Sequence, residues 1–433
     1  MDLLYANDAH GAYPPSWYAA TAKPFAPLPA LDGDQRADVC VIGAGYTGLS
    51  AALHLAQSGR RVILLDAQRV GFGASGRNGG QLGSGQRVDQ SKLEKMVGFE
   101  KARALWDMGE EAKALVRSLV AEHQIDCHLK PGIAWTGSSA SDVAELHDYA
   151  EHLQKRYDYD AVEALSQDAC FALCPSPDYK GGLMDHGAGH LHPLAFALGL
   201  ARAAQAAGVQ IFEQSRVRAI EEGAKVKVTT DRGAVEADHV VIGCNGYLSG
   251  FASPVTARVM PINNFIVATE PLGARAKEVL TRDVAVADSR FVVNYFRLSH
   301  DKRLLFGGGE SYGYRFPDIV RTVRKPMLQV YPGLADVAID YAWGGTLGIT
   351  MKRFPYLGRV GSRVLNASGY SGHGVGTATH AGMLLARAIE GETDGFDAMR
   401  AIPTPAFPGG ARFRNPLLML AMTWYALRDR LGV

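Results

Sequence analysis

The feature that most restricts what this chain can fold into is the stretch at residues 38–66. A short apolar strand, Val39-Cys40-Val41-Ile42, runs into Gly43-Ala44-Gly45-Tyr46-Thr47-Gly48. A helical stretch follows, and a second strand, Val62-Ile63-Leu64-Leu65, ends on Asp66 and Ala67. Gly43 allows the tight turn, Gly45 lets the backbone approach a pyrophosphate, and Gly48 lets the helix pack closely on the strand. The helix N-terminus, with Tyr46 and Thr47, presents unpaired N–H groups and a positive dipole end to phosphates. Asp66 stands at about the 20-residue offset from which a carboxylate accepts hydrogen bonds from a ribose diol. Strand, glycines, helix and acid agree on a site for an ADP-containing cofactor.

Which dinucleotide is bound follows from the next segment. Gly71-Phe72-Gly73-Ala74-Ser75-Gly76-Arg77-Asn78-Gly79-Gly80-Gln81 is a second glycine-rich run directly after the ribose-binding acid. Nicotinamide enzymes normally continue there with a helix. A loop of this kind instead suits a chain passing under a flat ring system. It offers backbone N–H groups to ring carbonyls and nitrogens, with Arg77 and Asn78 as polar contacts. Joined to the preceding βαβ unit, it points to a flavin, hence FAD. A later turn, Gly369-Tyr370-Ser371-Gly372-His373-Gly374, opens a helix and can set a positive dipole end against the pyrimidine edge of that ring.

At 433 residues the chain is long enough for two domains. Its 47% hydrophobic and 21% charged residues allow a sizeable core, and a net charge of +1 gives no electrostatic footprint for nucleic acid. The five cysteines, Cys40, Cys127, Cys170, Cys174 and Cys244, are odd in number and read as a reduced cytosolic set. Cys170-x3-Cys174 lacks a second pair, so no metal site is expected. The N-terminus lacks the pattern of a signal peptide and reads as a proline-rich, aromatic arm lying extended over the surface. The longest apolar run, 416–427, is too short to span a bilayer. It reads as an amphipathic terminal helix docked on the body, with a peripheral membrane contact as the alternative.

Between these landmarks, residues 91–124 have helical periodicity, 125–136 read as strands broken at Pro131-Gly132, and 141–157 as a further helix. Residues 183–192 read as a glycine- and histidine-rich connection before a helix opened by Pro193. Short strands follow at 209–212 and 217–220, then a hairpin around Asp231-Arg232-Gly233. An apolar strand ends in Asn245-Gly246, a third segment set against the cofactor. Residues 256–345 look strand-rich, including Phe291-Val292-Val293. No other strand-linked G-x-G-x-x-G is present, so electrons are expected to enter from the substrate and leave to oxygen or another acceptor.

With these segments in place, the chain resembles the D-amino-acid-oxidase superfamily of FAD enzymes and, within it, the bacterial gamma-glutamylputrescine oxidoreductases. The resemblance runs through Ser16-Trp17-Tyr18-Ala19-Ala20, both glycine-rich runs, Gly189-His190-Leu191-His192-Pro193-Leu194, the 369–374 turn and the terminal Leu427-Arg428-Asp429-Arg430-Leu431-Gly432-Val433. It implies an α/β fold: a discontinuous, glutathione-reductase-type FAD-binding Rossmann domain with a β-sheet-based substrate domain. The corresponding boundaries are an arm at 1–34, FAD-binding segments at 35–105, 180–255 and 340–400, substrate segments at 106–179 and 256–339, and a helical tail at 401–433. The implied reaction, in cytoplasmic polyamine catabolism, oxidises the terminal amine of gamma-glutamylputrescine to an aldehyde and releases ammonia and hydrogen peroxide. Oxidation of glycine or sarcosine is an alternative, and so is a dehydrogenase that passes electrons to a quinone or protein. By motif match, Val217 meets the adenine through its backbone, Arg77, Asn78, Gly79 and Gly80 line the flavin, and Gly372, His373, Gly374 and Thr377 surround its pyrimidine end. Relatives of the sarcosine-oxidase type attach FAD through a cysteine near the region matched by Trp343-Gly344-Gly345-Thr346. No cysteine lies beyond Cys244, so the cofactor is expected to be non-covalent. Leu305 stands where those relatives carry an oxygen-activating lysine.

Flavin amine oxidation needs a neutral amine positioned with its α-carbon at the ring, so positioning and electrostatics are the protein's task. His373 is the foremost polar candidate for catalysis, with a structural bond to its own turn as the alternative. For substrate contact the candidates are His192 (beside His190), Tyr295, Arg297, Glu310 and Trp343. Arg297 suits a bidentate grip on the glutamyl carboxylate, Glu310 an ammonium, and Trp343 a pocket wall. Each could equally be surface or core. The sequence leaves the oligomeric state open.

Overall fold

The computed structural model describes residues 2–410 except 249 and 291. The terminal helix expected at 416–427, like most of the 401–433 tail, lies outside the described residues.

Two sheets organise the chain. In the first, Gln35–Ile42 pairs in parallel with Val62–Leu65 on one side and Ala234–Ile242 on the other, and the sheet extends to Gln210–Phe212 and Val364–Ser368. The strand Val39–Ile42 half is buried, as an inner parallel strand covered on both faces must be. The helix Tyr46–Gln57 leaves the C-terminal end of that strand, and Gly374–Ile389 packs across it. Their crossing is close because Gly382 has no side chain where a methyl would overlap the Thr47 carbonyl.

Among the described residues the second sheet has nine strands, eight of them, Ile339–Ile349, Met260–Thr269, Leu304–Ser311, Tyr295–Leu298, Ala285–Asp288, Lys130–Gly137, Gly181–His190 and Gln81–Leu82, in spatial order, with Val162–Leu165 off this path. Gly181–His190 is thus a ten-residue strand and not a connection. It pairs with Lys130–Gly137, Val162–Leu165 and Gln81–Leu82. Together with Ile339–Ile349 it moves residues expected in the cofactor segments 180–255 and 340–400 into the second sheet, because their backbone hydrogen bonds close there.

Three local expectations change for physical reasons. The helix expected over 91–124 divides into Gln90–Val97 and Phe99–Glu122 at Gly98, whose φ of +84° only glycine adopts without strain. Pro131-Gly132 bulges the strand Lys130–Gly137 without breaking it. Residues 292–294 are irregular, and the strand begins at Tyr295. The arm is not a surface passenger either. Ser16 caps the short helix Trp17–Thr21 through Ala19 N–H at 3.0 Å, and Trp17 and Tyr18 are fully buried in the main core. No helix among the described residues is long and apolar enough to cross a membrane.

Candidate active site and cofactor cleft

The two sheets enclose one long cavity of ≈ 1130 Å³. Its first end is built by the strand–turn–helix. Gly43 sits at φ +102° directly against the Gly243 carbonyl, and Gly45 occupies the helix N-cap without a side chain. Tyr46 N–H is met by Ser75 Oγ at 3.0 Å, which ties the second glycine loop to the first. Asp66 receives Ala44 N–H at 2.6 Å on Oδ2 and Gln68 N–H at 2.7 Å on Oδ1. Burial outweighs those bonds and pushes its carboxyl up to about 6. Ala67 and Val217 line the same end.

The middle of the cavity is floored by Gly73, Ala74, Ser75, Arg77, Asn78, Gly79 and Gln81, with Asn245 opposite. Asn78 shapes this loop, donating to the Ala74 and Ser75 carbonyls at 3.0 Å and accepting from Gly80 N–H at 2.7 Å. The Arg77 guanidinium is turned into the protein, where it meets Asp8 of the arm at 2.9 Å and the carbonyls of Phe72 and Gly344. It therefore anchors the loop rather than reaching across the cavity.

At the far end stand Gly372, His373, Gly374, Tyr295 and Glu310. Burial pulls His373 down to about 4, so its imidazole is neutral at physiological pH. Tyr295 donates to Asn264 Oδ1, and Tyr312 donates to Glu310 Oε2 at 2.8 Å. The Tyr370 and Thr47 hydroxyls, 2.6 Å apart, tie this turn to the first helix.

Several sequence candidates sit behind the cavity wall. A methyl at Gly48 would overlap the Gly43 carbonyl, and one at Gly80 the Leu191 carbonyl, so both glycines serve close packing. Gly246 backs onto Leu347, and Thr377 donates to the His373 carbonyl. His192, Arg297 and Trp343, expected at the substrate, do not line the cavity. His192 caps the helix Pro193–Ala206 through Ala195 N–H at 3.1 Å. Arg297 donates to the Gly79 carbonyl at 3.1 Å and lies against Tyr18. Trp343 donates to the Arg77 carbonyl at 3.1 Å and packs edge-on against Tyr18. The arm fills the space these three were expected to share with a substrate. Conversely, Arg87, Asn264, Arg290 and Arg353 line the cavity and were not singled out as substrate residues. Arg87 follows Gln81 by six positions on the same segment, which is the one signal that could have found it.

The cavity fits FAD in chemistry and shape. A phosphate-ready helix end and a ribose acid occupy one end, a glycine-rich loop the middle, and a second helix N-terminus the other. Its volume exceeds the range of about 300–1,000 Å³ usual for small-ligand pockets, which leaves room for a substrate beside the cofactor. Among the described residues no cluster of side chains suits a metal ion.

Comparison with known proteins gives the same picture. The family model described as DAO, FAD dependent oxidoreductase, matches residues 38–388. The chain is similar to the probable oxidoreductase OrdL of Rhizobium meliloti, with 45% identity over 96% of this chain and 97% of that protein. It is also similar to the gamma-glutamylputrescine oxidoreductase of Escherichia coli, with 40% identity over 96% of this chain and 99% of that protein. Among solved structures, glycine oxidase from Geobacillus kaustophilus superposes with a TM-score of 0.71 at 22% identity, covering 85% of this chain and 99% of that one. That last likeness concerns the fold.

Proposed function

The chain belongs to the FAD dependent oxidoreductase family, and from that premise we propose that it oxidises the terminal amine of gamma-glutamylputrescine, or of a related gamma-glutamylpolyamine, to the aldehyde. Ammonia and hydrogen peroxide would be released, oxygen would be the acceptor, and the setting would be cytoplasmic polyamine breakdown. Support comes from the relative of that activity, which matches along nearly its whole length. The observation that carries the reading is Glu310. It is a carboxylate facing the cavity at the substrate sheet, with no ion-pair partner among the described residues. A cationic amine entering there finds a counter-charge waiting.

FAD, held non-covalently by the glycine turns and Asp66, supplies the hydride-accepting ring. The chain's own residues do the positioning. Glu310 holds the ammonium group distal to the reacting amine, its Oε2 oriented by the Tyr312 hydroxyl. Tyr295 is fixed by Asn264, so its ring forms a rigid wall. His373, kept neutral by burial, adds no positive charge beside the amine and can accept its N–H, leaving the nitrogen lone pair free. Anaerobic mixing of the yellow protein with gamma-glutamylputrescine should bleach the flavin, and turnover in air should yield one peroxide per aldehyde. Bleaching by glycine or sarcosine alone would refute the substrate, and bleaching without peroxide in air would refute the acceptor.

A further inference from the structure

Among the described residues five arginines line the cavity, and their partners sort them. Arg77 is paired with Asp8, Arg216 with Asp2, and Arg290 with both Asp178 and Asp288. Arg87 and Arg353 have no ion-pair partner among the described residues. Both stand at Ser371: the turn that carries Arg353, closed from Arg353 N–H to the Thr350 carbonyl at 3.1 Å, is tied to it by Thr350 N–H on Ser371 Oγ at 3.3 Å, and Arg87 reaches the carbonyl of the same residue. The only side-chain hydrogen bond Arg87 makes there is from Nε to the Ser371 carbonyl at 3.2 Å, which leaves its terminal nitrogens uncommitted. The carboxylate whose charge reaches Arg87, Asp89, is itself paired with Lys92 at 2.8 Å, and holding two half-buried guanidiniums without an anion of their own is costly. The phosphate end of the cofactor is already served elsewhere, by the turn at Gly43–Gly45. The pair therefore stands ready for a different anion at the Ser371–His373 side.

We infer that Arg87 and Arg353 form the carboxylate-receiving subsite of this cavity and read the α-carboxylate of the gamma-glutamyl group. The planar forks of two arginines match one carboxylate, a geometry that lysines would not supply. Arg297, the arginine expected for that task, is committed to Gly79 and Tyr18. The inference rests on the proposed amine oxidation and adds the reason for glutamylation: the free diamine lacks the group these arginines hold.

The test uses the FAD-loaded enzyme and anaerobic flavin bleaching, titrated with gamma-glutamylputrescine and with putrescine. For wild type, converting the glutamyl α-carboxylate to its carboxamide should weaken half-saturation about 10- to 100-fold. In Arg87→Met and Arg353→Met, the preference for gamma-glutamylputrescine over putrescine should fall by a similar factor, with Arg353→Lys intermediate. Sulfite affinity of the flavin should stay within about twofold, because the arginines act on substrate and not on the ring. A preference that survives both substitutions, or a carboxamide as good as the acid, overturns the subsite and leaves the amine-oxidase reading standing. Parallel loss of sulfite affinity and of reduction by both amines overturns it in favour of a role on the cofactor. Wild type bleached by putrescine but never by the glutamylated amine overturns both readings. The carboxamide comparison needs no variant, so a misfolded substitution does not blunt it.

Discussion

Replacing Asp66 by Asn should leave the stability of the empty protein nearly unchanged and weaken its hold on the cofactor. Folding lifts the Asp66 carboxyl from an ordinary 3.8 to about 6, so the folded state favours the protonated form. That contribution is complete below about pH 4 and is lost as pH rises through 6. At pH 7.5 the buried charge therefore opposes folding by roughly 3 kcal/mol. Asn removes this cost. It also sets an NH₂ group against one of the two amides, Ala44 or Gln68, that now point at carboxylate oxygens, and leaving such a donor unmet costs about 1–3 kcal/mol. The two nearly cancel, so cofactor-free Asp66→Asn should unfold in urea within about 2 kcal/mol of wild type. Binding has no such compensation. A ribose hydroxyl loses a charged acceptor worth about 1.5–3 kcal/mol, which weakens FAD roughly 10- to 150-fold in a fluorescence-quenching titration of the deflavinated protein. Wild-type affinity should itself fall between pH 7 and 5 as Asp66 takes up its proton, and the variant should not follow. A cofactor-free variant that loses more than about 4 kcal/mol, or one that binds FAD like wild type, would refute this account of the carboxylate.

Gly48→Ala places a methyl on the Gly43 carbonyl, backbone against backbone, and should give a protein purified without its yellow absorbance; full flavin content would show that the turn can yield. Glu213→Gln breaks a buried pair with Arg69 (2.7 Å) that also receives Leu28 and Val70 N–H, and should lower stability by about 3–5 kcal/mol in denaturant titrations; a change under about 1 kcal/mol would contradict its burial. His373, held at about 4, should contribute no limb near pH 6.5 to kcat/KM, and a limb there that disappears in His373→Asn would overturn its neutrality. Cys244 lines the cavity with its thiol pushed up to about 12 by burial, so acid precipitation should leave all flavin in the supernatant; colour in the pellet would reveal a covalent link.

The cofactor end was legible because its signals are local. A turn at Gly43, a helix from Tyr46 and an acid at Asp66 are fixed by spacing alone, and the structure sets them on one cavity. Gly181–His190 was not legible as a strand, because its glycines and histidines have little strand preference. It forms because three neighbouring strands supply backbone partners, and tertiary pairing overrides propensity. Three of the substrate candidates, His192, Arg297 and Trp343, lie off the cavity for a related reason. Tyr295 and Arg297 share a strand face, as alternation requires, yet only Tyr295 reaches the cavity. What separates them is Tyr18, brought from 279 positions away to lie under Arg297, and no periodicity reports that.

The arm explains why the cationic residues divide as they do. Asp8 neutralises Arg77, Trp17 and Tyr18 pack against His192, and Tyr18 also meets Trp343. These contacts clamp the second glycine loop between the arm and the strand Ile339–Ile349 and fix it along the cavity. A charge committed in this way carries no chemistry, because its field is cancelled where it stands. A charge left unpaired beside a cavity has a desolvation cost that nothing in the chain offsets, and a ligand of opposite sign is what can offset it. Motif position put Arg77 at the ring and Arg297 at the carboxylate; Asp8 pairs with the first, the Gly79 carbonyl and the Tyr18 hydroxyl hold the second behind the wall, and Glu310, Arg87 and Arg353 face the space. Glu310 together with Arg87 and Arg353 on one cavity complements a molecule that carries both an ammonium and a carboxylate, which neither a plain diamine nor a simple carboxylic acid does.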